Sequence, residues 1–396
     1  MPVETVKMKA RGFICVNSHP EGCRRNVERQ IDVVRGAGKR AGFKNVLVVG
    51  ASTGYGLASR IAAAWGFGAK TLGVFFERPP EGGKPATAGF YNSVAFHDAA
   101  RRGGLYAASI NGDAFSDGVK KQAVEIIRRG MGTVDLVIYS LASPRRTHPK
   151  TGVVYNSALK PIGAPFTAHT IDLNAEKVVE VTIPPASDDE IAGTVAVMGG
   201  EDWRMWIHTL LDEKLLAPGA RTVAYSYIGP SVTWPVYRDG TIGRAKQDLE
   251  AAAAAMREGL GQNAAWVAVN KAVVTQASAA IPVVPLYMSL LPRVMKAKGL
   301  EEGCIEQMAR LFFEHIAPDR TPTLDDARRI RMDDREMRDD VQKEVLRDFP
   351  SITTENLLTS TDFPNFKREF QGLFGFNVDG VDYTQPVETD LALVNP

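Results

Sequence analysis

The chain has 396 residues, with 47 basic and 46 acidic side chains and a formal net charge of +1. This balance excludes the overall basic field that binds nucleic acid or an anionic membrane surface. Hydrophobic residues make up 44% of the chain, which is normal for a globular protein with a sizeable core. The three cysteines, Cys15, Cys23 and Cys304, are too few and too scattered for a disulfide framework, so we expect a reducing, cytoplasmic location.

One uncharged stretch, residues 272–292, is long enough to cross a bilayer. It contains three prolines, Pro282, Pro285 and Pro292, together with polar side chains. These features favour a buried strand followed by a loop. The N-terminus lacks the apolar core of a signal peptide. We therefore expect no stable membrane insertion.

Cys15, His19 and Cys23 lie close together in the sequence and have the side chains of metal ligands. Pro20 and Gly22 interrupt any helix that would align them, and no fourth ligand lies nearby in the sequence. We therefore predict buried thiols and a turn, and no metal site.

A glycine-rich loop lies between a buried strand at 46–49 and a segment at 57–65 with helical spacing of apolar residues. A strand, a glycine turn and a helix form the unit that binds a pyrophosphate, because the backbone approaches the phosphates and the helix N-terminus faces the anion. The alternative is an ordinary strand–helix turn. The loop residues predicted to bind the cofactor are Gly50, Ala51, Ser52, Thr53, Gly54, Tyr55 and Gly56.

Apolar strands alternate with helical segments along most of the chain. The predicted strands after the first are 71–77, 105–110, 134–141, 221–228 and 266–275. This alternation predicts an α/β protein with a doubly wound parallel (Rossmann) sheet and helices on both faces. We predict a single extended domain over 1–396, with a rim insertion near 144–200 and a helical C-terminal part from about 299, in which 325–349 is a charged surface helix.

Further cofactor residues are predicted where these strands end. Glu77 follows Gly56 by 21 positions, near the distance at which a carboxylate accepts hydrogen bonds from the adenosine ribose. Arg78 leaves the choice between NAD and NADP open. Asp113 could reach the adenine or serve only as a turn residue. The other predicted cofactor residues are Phe76, Ala114, Leu141, Ala142, Thr275, Gln276 and Ala277.

Tyr237 and Lys246 form the candidate catalytic pair. A tyrosine hydroxyl with a pKa of about 10 keeps its proton at neutral pH, and a nearby ammonium would stabilise its phenolate. The lysine could also hold the nicotinamide ribose. The two residues are nine positions apart, so on one straight helix they would point in opposite directions. Asp239 and Gly240 mark a break that places Tyr237 before the helix and Lys246 within it, with Thr241 as the N-cap residue.

The Tyr-x8-Lys spacing, the glycine loop, Phe75-Phe-Glu77, Asn111-Gly-Asp-Ala-Phe and Tyr139-Ser-Leu-Ala-Ser-Pro resemble the trans-2-enoyl-CoA/enoyl-acyl-carrier-protein reductases of the FabV/Ter type. The resemblance implies NADH-dependent reduction of an enoyl thioester of CoA or acyl carrier protein, in fatty acid biosynthesis or fermentative reduction. It also implies an extended Rossmann fold and a monomer. By the same resemblance, Tyr237 is the proton donor, Lys246 a cofactor ligand and Tyr227 a substrate contact.

Two other functions remain open on the sequence. One is a short-chain dehydrogenase that reduces a ketone, which would be expected to have a Tyr-x3-Lys pair. The other is a sensor protein that binds NADH without turnover. Loss of NADH absorbance on addition of crotonyl-CoA would distinguish both from an enoyl reductase.

Overall fold

The structure, a computed structural model, describes residues 3–11, 14–279 and 281–396. Its strands are, in chain order, β1 (Val3–Glu4), β2 (Ala10–Arg11), β3 (Ile14–Cys15), β4 (Asn45–Val49), β5 (Lys70–Phe75), β6 (Ala107–Asn111), β7 (Val134–Tyr139), β8 (Arg145–Thr147), β9 (Val154–Asn156), β10 (Phe166–Asp172), β11 (Lys177–Ile183), β12 (Leu216–Ser226), β13 (Ala265–Val269), β14 (Ile330–Arg331) and β15 (Val387–Glu388).

The α-helices are α1 (Pro20–Gly36), α2 (Gly54–Phe67), α3 (Ala88–Arg102), α4 (Asp117–Ile126), α5 (Asp188–Met198), α6 (Glu201–Asp212), α7 (Thr241–Leu260), α8 (Gln276–Ala279), α9 (Val284–Ala297), α10 (Cys304–Arg310), α11 (Asp339–Asp348), α12 (Leu357–Ser360) and α13 (Phe363–Gly372). Short π-helical turns follow α4 and α10, and 3-10 turns precede α7 and follow α11.

Seven strands form one parallel sheet in the order β6-β5-β4-β7-β12-β13-β14. The chain starts the sheet at β4, builds outwards to β6, and returns to β7 on the other side of β4. In open sheets of this kind, ligands bind at the carboxyl ends of the strands, where the strand order reverses. The β4–β7 pair therefore marks the expected position of the site.

Strand β4 explains why the sheet is covered on both faces. Its alternate residues point to opposite sides: Val46 and Val48 pack in one buried cluster with α1, α2 and α10, whereas Leu47 and Val49 pack in another with α4, α6 and α7. Burying each of these side chains stabilises the fold by about 1.5–3 kcal/mol. The predicted doubly wound α/β fold is confirmed.

The sixth predicted strand is shorter than the apolar pattern indicates. It ends at Val269, because the backbone N–H of Lys271 donates to Oε1 of Gln307 at 2.9 Å instead of to a neighbouring strand. The buried strand expected within 272–292 was wrong, since this stretch forms α8 and α9. Pro285 stands in the first turn of α9, where the missing N–H costs no helical hydrogen bond. Among the helices that the structure describes, none is both long and apolar enough to span a membrane.

Residues 144–200 leave the parallel sheet. They form two antiparallel hairpins, β8–β9 and β10–β11, followed by α5, which packs against α7. The division of the chain into one extended domain with a rim insertion here stays a prediction.

The C-terminal part differs most from its prediction. Instead of one surface helix over 325–349, the chain forms the edge strand β14, a loop and the shorter helix α11. Asp333 and Glu336 in that loop are fully buried. Helices α9, α11 and α13 enclose a third apolar cluster, which includes Tyr237. Near the N-terminus, Nδ1 of His19 accepts a hydrogen bond from the N–H of Gly22 at 3.2 Å and so caps α1.

Candidate functional site

The glycine loop begins where β4 ends, and two of its glycines are required by close packing. A Cβ atom on Gly50 would lie 2.1 Å from the carbonyl oxygen of Ser140, and one on Gly56 would lie 1.8 Å from the carbonyl oxygen of Gly50. Either contact is impossible for a larger residue without moving backbone. These glycines therefore let the loop turn tightly between β4 and the end of β7.

Gly54 meets a different requirement. It is the first residue of α2 and has a φ of 53°, in the left-handed region that favours glycine. A Cβ atom there would meet no atom within 4 Å among the described residues. The N-cap residue Thr53 makes no side-chain capping hydrogen bond, so the first-turn N–H groups receive no acceptor from it. An exposed helix N-terminus, next to a glycine with open space at its Cβ position, fits a pyrophosphate.

Glu77 lies directly beside this loop. Its Oε1 accepts a hydrogen bond from Oγ of Ser52 at 2.7 Å. Its backbone is held by Asn111, whose Oδ1 accepts from the Glu77 N–H and whose Nδ2 donates to the Glu77 carbonyl, both at 2.8 Å. A Cβ atom on Gly89 would lie 2.0 Å from Oε1 of Glu77, so the glycine makes room for the carboxylate. Asn111 and Gly89 were not predicted as site residues.

The predicted cofactor residues after β5 and β6 differ in how free they are to meet a ligand. Phe76 is 79% exposed and leaves an aromatic face open beside Glu77. Asp113 instead closes a turn, because its Oδ1 accepts from the N–H of Phe115 at 3.0 Å. The carbonyl of buried Ala114 accepts from Nζ of Lys120 at 3.0 Å. The turn role of Asp113, one of the two interpretations above, is therefore present in the structure.

Leu141 and Ala142 follow β7 beside the glycine loop, with the Leu141 nitrogen 3.2 Å from the Cβ position on Gly50. Tyr55 contributes only its backbone to the loop. Its hydroxyl donates to the carbonyl of Lys271 at 2.6 Å and accepts from Nε2 of Gln307 at 2.7 Å, which holds the side chain below the loop.

Thr275, Gln276 and Ala277 lie after β13, at the start of α8. The N–H of Thr275 donates to Oγ of Ser278 at 2.8 Å, Gln276 is exposed, and the side chain of Ala277 lies outside the described residues. Within the described part of the chain, no hydrogen bond joins these residues to the glycine loop. Their predicted contact with the cofactor stays a prediction.

Tyr237 lies in a turn before α7, where its N–H donates to the carbonyl of Thr233 at 3.0 Å. Helix α7 begins at Thr241, so Lys246 is its sixth residue, and the predicted break at Asp239 and Gly240 is present. The predicted N-cap was wrong by one position. Gly240 is the N-cap residue, because the Thr241 hydroxyl donates instead to the carbonyl of Ala158.

Lys246 and Tyr237 are not joined by a hydrogen bond in the described part of the molecule. Nζ of Lys246 donates to the carbonyl of Tyr225 at 3.0 Å, near the end of β12. Burial lowers the pKa of Lys246 to about 8. Burial, and then the charge of Glu336, raises the pKa of Tyr237. The tyrosine therefore keeps its proton at neutral pH and is a hydrogen-bond donor, not a phenolate.

The ring of Tyr227 packs edge-to-face against that of Tyr237, with centroids 4.8 Å apart and planes at 76°. The Tyr227 hydroxyl donates to Oε1 of Glu336 at 3.1 Å. The Tyr237 hydroxyl makes no hydrogen bond to any described residue, and the side chain is 8% exposed. Of the two hydroxyls, that of Tyr237 is the one free to donate to a ligand.

Glu336 is a residue of the site that the sequence does not predict. It lies in an arginine- and aspartate-rich stretch that predicts a surface, and neither spacing nor motif distinguishes it. In the structure it is fully buried and bonded to hydroxyls from two other segments, those of Tyr227 and Tyr287. Burial raises the pKa of Glu336, an effect that the hydrogen bonds from Tyr287 and from the N–H of Ala272 oppose.

Three family models match consecutive parts of the chain. Residues 5–82 match the NAD(P)H binding domain of trans-2-enoyl-CoA reductase, residues 84–317 match the trans-2-enoyl-CoA reductase catalytic region, and residues 324–387 match an enoyl reductase FAD binding domain. The first match contains the glycine loop and Glu77, and the second contains Tyr227, Tyr237 and Lys246.

The third of these matches implies a flavin, but residues 324–387 do not fit one. Their only parallel strand is the two-residue β14, and no glycine turn joins it to a helix. The interior of this segment is filled by its own aromatic side chains, Phe349, Phe363, Phe366 and Phe370. Residues 324–387 therefore offer no site for a flavin.

Relatives match over almost the whole chain. The enoyl-acyl-carrier-protein reductase (NADH) of Opitutus terrae is 56% identical over 392 residues, which cover 98% of this chain and all of the relative. The protein of that name from Saccharophagus degradans is 56% identical over 391 residues, covering 98% of this chain and 99% of the relative.

Two solved structures have the same architecture over nearly their full length. The trans-2-enoyl-CoA reductase of Clostridium acetobutulicum in complex with NADH has a TM-score of 0.94 at 44% identity, covering 98% of both chains. That of Treponema denticola in complex with NAD has a TM-score of 0.93 at 48% identity, covering 96% of this chain and 97% of the other. The sequence-based assignment is confirmed: the chain belongs to the trans-2-enoyl-CoA reductase family.

Proposed function

We propose that this protein reduces the trans-2 double bond of an enoyl thioester, carried on CoA or acyl carrier protein, with NADH as the reductant. One observation supports this chemistry above the others: the ring of Tyr237, whose hydroxyl has no hydrogen-bond partner among the described residues, packs against that of Tyr227 at the same edge of the sheet as the glycine loop and Lys246. Fatty acid biosynthesis and fermentative reduction are both compatible with such a reaction.

Bound NADH supplies the hydride that is added to the β-carbon of the substrate. The pyrophosphate would be held by the backbone of the loop from Gly50 to Gly56, and the adenosine ribose by the carboxylate of Glu77. The ammonium of Lys246, which donates to a backbone carbonyl near the end of β12, would hold the nicotinamide ribose. The remaining residues assigned to the cofactor are Phe76, Asp113, Ala114, Leu141, Ala142, Thr275, Gln276 and Ala277.

Negative charge builds on the thioester oxygen as the β-carbon is reduced, because the substrate passes through an enolate. A hydroxyl aimed at that oxygen stabilises the transition state more than the bound substrate, and so raises kcat. Tyr237 would be this donor, since burial raises its pKa and keeps it protonated until the charge develops. Its proton would then pass to the enolate, so that the α-carbon gains a proton after the β-carbon has gained the hydride and the acyl thioester is complete. Tyr227 would contact the substrate beside it.

We also propose that the protein acts as a monomer in the cytoplasm. The location is supported by its cysteines, since Cys15, Cys23 and Cys304 are all free thiols, as is usual in a reducing compartment.

The function is tested by following NADH absorbance after addition of crotonyl-CoA, with a dodecenoyl thioester and an enoyl carrier protein as further substrates. We expect stoichiometric NADH oxidation with at least one thioester. Turnover of a ketone without turnover of any enoyl thioester would support the short-chain dehydrogenase alternative. NADH binding with no turnover would support the sensor alternative.

The position of Glu77 predicts the choice of cofactor. A carboxylate accepts hydrogen bonds from free ribose hydroxyls and repels a 2′-phosphate, so kcat/KM should be higher with NADH than with NADPH. Glu77→Gln keeps the shape but removes the charge, and should reduce this preference. A higher kcat/KM with NADPH in the wild-type protein would contradict the assignment of Glu77.

The pKa of Lys246 predicts how NADH binding depends on pH. Burial lowers it to about 8 in the free protein, so the ammonium is present below that pH and is lost above it. NADH affinity should therefore fall as the pH rises through about 8, measured as Kd by titration. Lys246→Arg, whose side chain stays charged, should abolish this dependence, and Lys246→Met should weaken binding and turnover throughout. A pH-independent Kd in the wild-type protein would remove Lys246 from the cofactor site.

A further inference from the structure

The buried carboxylate of Glu336 connects three segments of the chain that are far apart in the sequence. Its Oε1 accepts hydrogen bonds from Tyr227, which follows β12, and from Tyr287, on α9, at 3.1 and 2.6 Å. Its Oε2 accepts from the N–H of Ala272, in the loop after β13, at 2.7 Å. One carboxylate thus joins three segments beside Tyr237.

All three partners of this carboxylate are donors. The backbone N–H of Ala272 can only donate. The Tyr287 oxygen already accepts from Nε2 of Gln342 at 3.2 Å, so its own proton is directed to Glu336. Three donors around two oxygens are the arrangement that an ionised carboxylate satisfies. The ammonium of Lys271, which is next to Ala272 in the chain and is paired with Glu301 at 3.3 Å, also favours the ionised form, whereas the charge of Asp333 opposes it.

The consequence for Tyr227 follows from the number of protons that it carries. A tyrosine has a single hydroxyl proton, and here that proton is used in the bond to Glu336. Toward the substrate, the Tyr227 oxygen can therefore only accept. The Tyr237 hydroxyl, which has no partner in the described part of the chain, keeps its proton for the substrate.

We propose that Glu336 is a positioning residue for the reduction: by accepting the Tyr227 proton it fixes that ring against Tyr237 and leaves Tyr237 as the single hydroxyl donor to the thioester oxygen. Glu336 acts through Tyr227 and does not touch the substrate. This inference rests on the proposed function and deepens it, since it assigns different tasks to two adjacent tyrosines.

The proposal is tested by a double-mutant cycle between Glu336→Gln and Tyr227→Phe, with crotonyl-CoA and NADH as substrates. If Glu336 acts through Tyr227, each single variant should lower kcat about tenfold, and the double variant should be no more than about twofold slower than either one. NADH Kd should stay near the wild-type value in all of them, since among the described residues no hydrogen bond joins Glu336 or Tyr227 to the glycine loop.

Glu302→Gln is the matched control. Glu302 is also a buried carboxylate in the C-terminal half, but it pairs with Arg310 and Arg335 and not with a tyrosine. It should lower the melting temperature without the kcat loss that depends on Tyr227. If Glu336→Gln does not fold, Glu336→Asp replaces it in the double-mutant cycle. Aspartate keeps the charge but withdraws the carboxylate by one methylene.

Two results would overturn the proposal. One is an unchanged kcat in folded Glu336→Gln or Glu336→Asp. The other is an equal kcat loss in the wild-type and Tyr227→Phe backgrounds, since this would mean that Glu336 acts only on stability or through another group. Both results require a wild-type protein that oxidises NADH with crotonyl-CoA, so they are distinct from failure of the proposed function itself.

Discussion

Tyr237→Phe should lower kcat with crotonyl-CoA by about a hundredfold to a thousandfold, the usual effect of removing one donor to a developing oxyanion. The substitution removes a hydroxyl that has no partner among the described residues, so the fold should lose little stability. NADH Kd should stay close to the wild-type value, because Tyr237 acts on the substrate. Steady-state kinetics and direct NADH titration separate the two effects.

Tyr225→Phe is the matched control for this experiment. Tyr225 lies on β12 two residues before Tyr227, and its hydroxyl is bonded to Oγ of Ser59 at 2.6 Å, on the side of α2. The carbonyl that holds Lys246 is a backbone group and is retained in this variant. We expect a small change in kcat. A near-wild-type kcat in Tyr237→Phe would remove Tyr237 from the mechanism, and with it the assignment of Tyr237 as the single hydroxyl donor to the thioester oxygen.

Gly54→Val should weaken NADH binding by about tenfold to a hundredfold, corresponding to the loss of one or two charge-assisted hydrogen bonds to phosphate. The valine side chain would occupy the open space beside the helix N-terminus, where the pyrophosphate is expected to lie. The φ of 53° also forces a branched residue into the left-handed region, at a cost of about 1–2 kcal/mol in stability.

Gly104→Val separates backbone strain from the loss of binding. Gly104 also has a positive φ, of 65°, and open space around its Cβ position, but it precedes β6 at the amino end of the sheet. It should lower the melting temperature to a similar extent and leave NADH Kd unchanged. Calorimetry that finds wild-type NADH affinity in folded Gly54→Val would refute the phosphate-binding role of the loop.

Features carried by short stretches of sequence were predictable. The apolar runs at 46–49 and 134–141 predicted the central parallel strands, since residues buried on both faces of a sheet are apolar whichever way they point, and the second of these strands ends two residues earlier, at Tyr139. The glycine loop and Glu77 were likewise placed together at the correct edge, because the length of a strand–helix–strand unit fixes where the next strand ends. The break before α7 was predictable from Asp239 and Gly240.

Features that depend on partners far away in the sequence were not predictable from the sequence. Glu336 is separated from Tyr227 by 109 positions and from Tyr287 by 49, and no local pattern reports such pairings. The charged stretch that contains it predicted a surface, whereas hydroxyl and backbone donors from three segments allow the carboxylate to be buried. The free thiols, the family and the tyrosine–lysine motif could be inferred from the sequence alone. Only the tertiary structure decided which tyrosine hydroxyl is free, because that depends on which donors the folded chain brings to Glu336.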